Sequence, residues 1–302
     1  MTSSPSGTPR SLTRSPTERV LALHVDDVGM CHGANVAFLE LARAGHVSCG
    51  SVMVPCPWFR EIADAAAADM HLDLGVHLTL TAEWPQYRWG PISTHSKATG
   101  LLDDQGYFPR NCLALREHLV VEAAEAEMRA QIERALAAGI DVTHLDTHMG
   151  AALLPELLGI YLRLGHEYRL PVLLPRDIDS YTSVLRMGET PGGLYADAVC
   201  ALQAAGLPLF DRFAMTPGVA SSDAETTYRG LIEALPAGAT FFALHANAPG
   251  DIETIVPARA HWRTDEYRLF ASGEPLRWIN EAGIRLVGMR EVRDLWRAAL
   301  PG

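Results

Sequence analysis

No Cys-X-X-Cys spacing, basic run, internal repeat or apolar stretch of bilayer length occurs in this chain. Each absence removes a class of protein. The five cysteines, Cys31, Cys49, Cys56, Cys112 and Cys200, are scattered and odd in number, which argues against a disulfide frame or zinc ribbon and for core thiols in a reducing cytoplasm. A formal net charge of -11 without a cationic cluster argues against nucleic acid or an anionic membrane surface as the main partner. Neutral or cationic small molecules stay open. Without about twenty consecutive apolar residues there is no membrane span. Met1 to Arg19, rich in Ser, Thr, Pro and Arg with no apolar centre, reads as a disordered tail rather than a signal peptide.

What is present is a strand–helix rhythm. With 302 residues, 48% of them hydrophobic, the chain can bury a large core and suits one α/β barrel or two modest domains. No boundary is visible beyond the tail, so residues 20–302 read as one domain. Val20 to Val25 is an apolar run that stops at Asp26 and Asp27, as a buried parallel strand would, with its acids at the C-terminal end where ligands collect. Strand alternation would send the two carboxylates different ways, one to a metal and one to act as a base. A helix cap plus a solvated acid is the plainer reading of that pair. Helices are expected at 33–44, 58–68, 115–138, 153–168, 195–205, 223–235, 263–271, 275–282 and 291–300, and strands at 47–54, 74–80, 141–150, 170–174, 240–245 and 284–287. Residues 81–111 break the rhythm with prolines, glycines, Trp84, Tyr87 and Trp89. A long irregular segment is usually functional, and these aromatics would either stack on a sugar ring or pack the loop down.

Acids and histidines recur at the C-terminal halves of strands: Asp26 and Asp27, His77, then His144, Asp146 and His148, and finally His245. A parallel barrel would gather them over one mouth. One Asp with two His suits a divalent cation, Zn2+ in first place with Mg2+, Co2+, Ni2+ or Mn2+ as alternatives, and leaves positions open for water and substrate. His148, nearest its strand end, is the better ligand; His144 and Asp146 lie behind it, as support or packing. A lone His77 would otherwise be an ordinary hydrogen-bonded core residue. His24 and the remaining histidines read as surface or structural.

In order and spacing, Val25-Asp-Asp-Val-Gly29, Leu74-Gly-Val-His-Leu78, Thr143-His-Leu-Asp-Thr-His148 and Leu244-His245 followed by Pro249-Gly250 resemble the YdjC/ChbG family of carbohydrate deacetylases. The resemblance implies an incomplete or distorted TIM-like (β/α) barrel of mostly parallel strands and metal-dependent removal of an N-acetyl group from an amino sugar or sugar-containing small molecule. By position it makes Asp26 the general base, Asp27, His77 and His148 the metal ligands, and His245 the general acid, with Arg176 reaching in to orient Asp26 or else paired at the surface. The chain departs from the pattern at Gly150, where the family commonly has another histidine, and by inserting Ala246-Asn-Ala248 after His245. A barrel hydrolase or isomerase acting on another bond, or a non-catalytic sugar-binding protein, are the alternatives. A homo-oligomer is compatible with either.

Overall fold

The computed structural model describes residues 11–300 apart from 184 and 186. Part of the expected tail, residues 1–10, lies outside the described residues. The rest is corrected: Leu12 is buried and its carbonyl accepts from Arg285, so the chain is already packed against the barrel before the first strand.

Among the described residues, seven parallel strands form one sheet. They are β1 (Arg19–Val28), β2 (Cys49–Val52), β3 (Leu74–Leu78), β4 (Val142–Thr147), β5 (Arg212–Met215), β6 (Gly238–Leu244) and β7 (Arg285–Leu286). Their order is β4-β3-β2-β1-β6-β5, with β7 beside the first residues of β1. The expected strand at 170–174 contributes only a bridge between Val172 and Leu145, while β5 was not expected. Its residues are half-buried or exposed, so no continuous apolar run marks it. The sheet is not closed by strands. An irregular segment spans the gap instead: Leu173 N–H donates to Leu145 O at 2.9 Å, and Arg176 and Asp177 N–H donate to Phe210 and Asp211 O at 2.8 Å.

Helices cover the outside of this incomplete barrel: α1 (His32–Arg43), α2 (Phe59–Ala68), α3 (Cys112–His118), α4 (Val121–Ala137), α5 (Leu158–Glu167), α6 (Asp179–Thr182), α7 (Leu194–Ala204), α8 (Ala224–Glu233), α9 (Asp251–Ile255), α10 (Ala260–Ala271), α11 (Glu274–Glu281) and α12 (Met289–Ala299). Among the described residues, no helix is long and apolar enough to cross a membrane. The single helix expected over 115–138 is broken: Leu119 and Val120 take ψ 121 and 109. Two consecutive valines there, stiff at χ1, favour the extended interruption. The C-terminal ends of β1, β3, β4, β5 and β6 open on one mouth. Residues 81–111 form a strap beside it, pinned where the Glu127 carboxylate accepts the N–H groups of Ile92 and Ser93.

Candidate active site

The two adjacent acids reach one place because β1 breaks its own alternation. Its register against β2 shifts between Val25 and Val28, and Asp27 sits at φ 61. A left-handed residue other than glycine costs about 1–2 kcal/mol, least for Asn and Asp. Here it turns the Asp27 carboxylate back towards its neighbour's. The expected divergence of the pair is thereby corrected: Asp26 Oδ2 lies 4.0 Å and Asp27 Oδ1 3.5 Å from the same His77 Nε2.

Asp27 Oδ1 also lies 3.2 Å from His148 Nδ1. All three residues are buried, and their ligand atoms converge. Among the described residues Asp27 Oδ1 has no partner in hydrogen-bond geometry, His148 Nδ1 at 3.2 Å included, whereas Oδ2 is paired with Arg263 Nη1 at 2.8 Å. An orphaned buried acceptor costs about 1–3 kcal/mol. One hard oxygen and two imidazole nitrogens fit a divalent cation, and such an ion would give Oδ1 the partner it lacks.

Each imidazole is set from behind. His77 Nδ1 is 2.9 Å from Asp146 Oδ1, while the Ser51 hydroxyl donates to Asp146 Oδ2 at 2.8 Å. That carboxylate keeps the proton on Nδ1 and leaves the Nε2 lone pair facing Asp27. His148 uses the opposite nitrogens, with Nε2 2.9 Å from Glu83 Oε2. Burial opposes charge on both rings, yet Asp146 with Asp26 and Asp27 raises the pKa of His77, and Glu83 with Asp27 lifts His148 to about 10. Burial likewise pushes Asp27 up, but Arg263 and then His148 outweigh it and hold the carboxyl well below its usual range.

Asp26 is gripped by His24, Nδ1 to Oδ1 at 2.7 Å. Its other oxygen is 3.8 Å from His245 Nε2. His245 follows β6, and its Nδ1 lies 2.8 Å from the Thr216 hydroxyl at the end of β5. Thr216 donates to Glu266 Oε1 at 2.9 Å; Glu266 also accepts the His245 backbone N–H at 2.5 Å and the Tyr228 hydroxyl. Because the Thr216 proton goes to Glu266, its oxygen accepts from His245 Nδ1–H, and Nε2 is the bare nitrogen of the neutral ring. Burial, outweighing Asp26 and Asp27, lowers the His245 pKa. Burial also lifts Glu266 to about 7 against its three donors.

The residues picked out from sequence are therefore gathered unequally. Asp26, Asp27, His77, His148 and His245 share the mouth, with Asp146 and His144 beneath it. Of the two roles expected for Arg176 the ion pair is found: it bonds Asp211 at 2.8 Å and the Leu209 carbonyl, while Asp26 is gripped by His24, a buried, structural histidine. Trp89 takes the second of its two expected roles, packing the loop down, and is not an open platform. It is buried, donates to Thr81 O at 2.8 Å and sets its ring 6.0 Å from that of His148, so it walls the site. Trp84 is half-buried against the core. Gly150 stands at φ 75, and a Cβ there would meet Leu185 at 2.5 Å. In the inserted Ala246-Asn-Ala248, Asn247 is buried and its N–H donates to the Arg263 carbonyl at 3.2 Å.

Glu83, Thr216, Arg263 and Glu266 escaped the sequence reading. Arg263 and Glu266 had a usable signal, since a spacing of three puts both on one face of α10. Glu83 and Thr216 lie in irregular chain with no pattern to mark them.

Among known proteins, a family model described as YdjC-like protein matches residues 20–281. The chain is similar to a carbohydrate deacetylase of Thermus thermophilus, 42% identical over 161 residues that make up 53% of this chain and 55% of that protein. It is similar too to carbohydrate deacetylase 1 of Listeria innocua, 30% identical over 182 residues, 59% of this chain and 70% of that protein. The chain spans little more than half the length of the first of these curated relatives. A crystal structure from Enterococcus faecalis V583, named for cellobiose-phosphate cleavage, has the same fold, with TM-score 0.72 over 91% of this chain and 99% of that one at 22% identity.

Proposed function

The chain belongs to the YdjC-like family, and from that premise and the geometry of the mouth we propose that it is a metal-dependent carbohydrate deacetylase, removing the acetyl group from an N-acetylated sugar or glycoconjugate. The observation that carries the reading is the orphaned Asp27 Oδ1 converging with His77 and His148, beside an Asp26 oxygen that no donor among the described residues occupies. Asp27, His77 and His148 would hold one divalent cation, Zn2+ before Mg2+, Mn2+, Co2+ or Ni2+. When bound, such an ion supplies Lewis acidity, polarising the acetyl carbonyl and making water easier to deprotonate.

The chain's own residues do the rest. Asp26 Oδ2 takes the proton of the attacking water, while His24 keeps that carboxylate turned to the mouth. His245, with Nδ1–H on Thr216, receives at Nε2 the proton that Asp26 has taken and passes it to the amine nitrogen as the C–N bond breaks. Water and amide become acetic acid and amine, which ionise to acetate and an ammonium group, so no proton is left over. Trp89 and the strap over residues 81–111 keep bulk water from the back of the site and shape the sugar side. Five free thiols support a reducing, cytoplasmic setting.

Acetate release from a panel of N-acetylated sugars, using protein stripped of metal and then reloaded, tests this. Activity is expected only with metal, and Asp26→Asn should retain the metal but lose at least about 100-fold in turnover. Bound metal with no acetate from any sugar would sink the deacetylase reading.

A further inference from the structure

Beside the mouth lies a second cavity, of about 310 Å³, lined by Cys31, Trp58, Tyr87, Gly250, Asp251 and Thr254. These residues belong to the loops that follow β1, β2 and β6 and to the strap that follows β3. All are connections at C-terminal strand ends, so the cavity opens on the same face as the candidate site. Backbone ties the two together: Met30 N–H donates to Asp27 O at 3.1 Å, and the Met30 carbonyl accepts the Tyr87 hydroxyl at 2.5 Å. Side chains make a second link, with the Tyr87 ring 6.1 Å from that of Trp89 and the Trp89 ring 6.0 Å from that of His148. A sugar ring in this cavity is therefore a neighbour of the ring that reacts, not the reacting one.

The lining selects by chemistry. Trp58, 38% exposed, and the half-buried Tyr87 offer flat apolar surface on which a pyranose ring stacks. The polar groups are nearly all acceptors. Tyr87 has given its proton to Met30 O, and the Gly250 N–H is spent on Glu253 Oε2 at 2.7 Å. Asp251 accepts the His32 N–H on Oδ2 at 3.2 Å and brings the carboxylate charge. No Lys, Arg or His is among the lining residues, which leaves the Thr254 hydroxyl and the weak Cys31 thiol as donors. A phosphate or carboxylate would meet no cation here and be repelled by Asp251. An acetamido carbonyl would find few partners. An ammonium group, all donor, meets a carboxylate and two aromatic rings, each of which attracts it.

We propose that this cavity is a subsite for a sugar ring bearing a free ammonium group, joined to the N-acetylated ring that is cut at the mouth. The substrate class is then a partly N-acetylated amino-sugar glycoside. The linkage to a reacting ring rests on the proposed deacetylation; binding of an amino sugar in the cavity does not.

Two measurements on the full chain loaded with Zn2+ test it. In the first, acetate release is compared between a disaccharide of two N-acetylglucosamine units and the better of the two disaccharides with one amine free. KM should be about 10- to 100-fold lower with the free amine, the scale of a hydrogen bond to a charged group. Asp251→Asn, which keeps an acceptor for the His32 N–H, should bring the two KM values together with metal content unchanged. Equal KM values in the parent, or a preference that survives Asp251→Asn, overturn the proposal. In the second, glucosamine and glucose are titrated against tryptophan fluorescence. Glucosamine should give a saturable change that Trp58→Phe abolishes and that Asp251→Asn weakens by about 10-fold or more, with glucose binding far less. No change traceable to Trp58, or equal binding of the two sugars, overturns the subsite. Should the protein release acetate from no sugar, the proposed function fails and the fluorescence titration alone decides the cavity.

Discussion

Glu83 shows how a single distant carboxylate can matter as much as a ligand. It holds His148 by the nitrogen that faces away from Asp27, so it sets which nitrogen is offered to a cation. Glu83→Gln is expected to weaken metal binding by about 10- to 100-fold without unfolding the protein, measured by competition against a zinc-chelating dye; unchanged affinity would remove Glu83 from the centre. Thr216 acts on the other flank. Thr216→Val keeps the volume but deletes the oxygen that accepts His245 Nδ1–H, and a loss of about 10-fold or more in kcat at constant metal content is the expected result. A matching fall in metal content would show that the pair instead supports the ligands.

At the scale of elements, strand ends place the polar side chains and the irregular chain between them supplies partners. The bulge in β1 is the clearest case, since without it Asp27 would point away from His77. Close approach inside the barrel is the second. β3 passes the His144 ring at Gly75, and Gly75→Ala would push a methyl into that ring. Overpacking of this kind costs about 1–3 kcal/mol, to be read as a lower urea midpoint, and a midpoint equal to the parent's would mean the ring can move aside. The helix pattern was legible almost everywhere an apolar face met the sheet. It misled at Leu119 and Val120, where composition looked helical while the backbone turned.

Across the whole molecule, burying polar groups inside a barrel ties stability to pH. His144 is held at about 3 in the folded chain, against about 6.5 unfolded. The unfolded chain therefore binds more protons in that window, and the stability owed to a neutral His144 is present above about 6.5 and lost as pH falls towards 3. Metal-free protein should show this as a falling unfolding free energy on the acid side, and His144→Asn should flatten the slope relative to the parent. Parallel slopes in the two proteins would place the acid sensitivity elsewhere.

The sequence by itself determined the parallel α/β architecture, the order of the strands that carry Asp26, Asp27, His77, His148 and His245, and the ligand types at their ends. Those features are local: an apolar run that stops at a polar residue is written in consecutive positions. Only the tertiary structure decided that Asp26 is gripped by His24, that Arg263 pairs with Asp27 while Arg176 turns to Asp211, and that Glu83 and Glu266 stand behind the two outer histidines. Apart from His24 and Asp26, two positions apart on β1, these contacts join segments tens to hundreds of residues apart. Hydrogen bonds of this kind leave no periodic trace in the chain, because their geometry is set by which strands become neighbours and by a bulge that reverses one side chain.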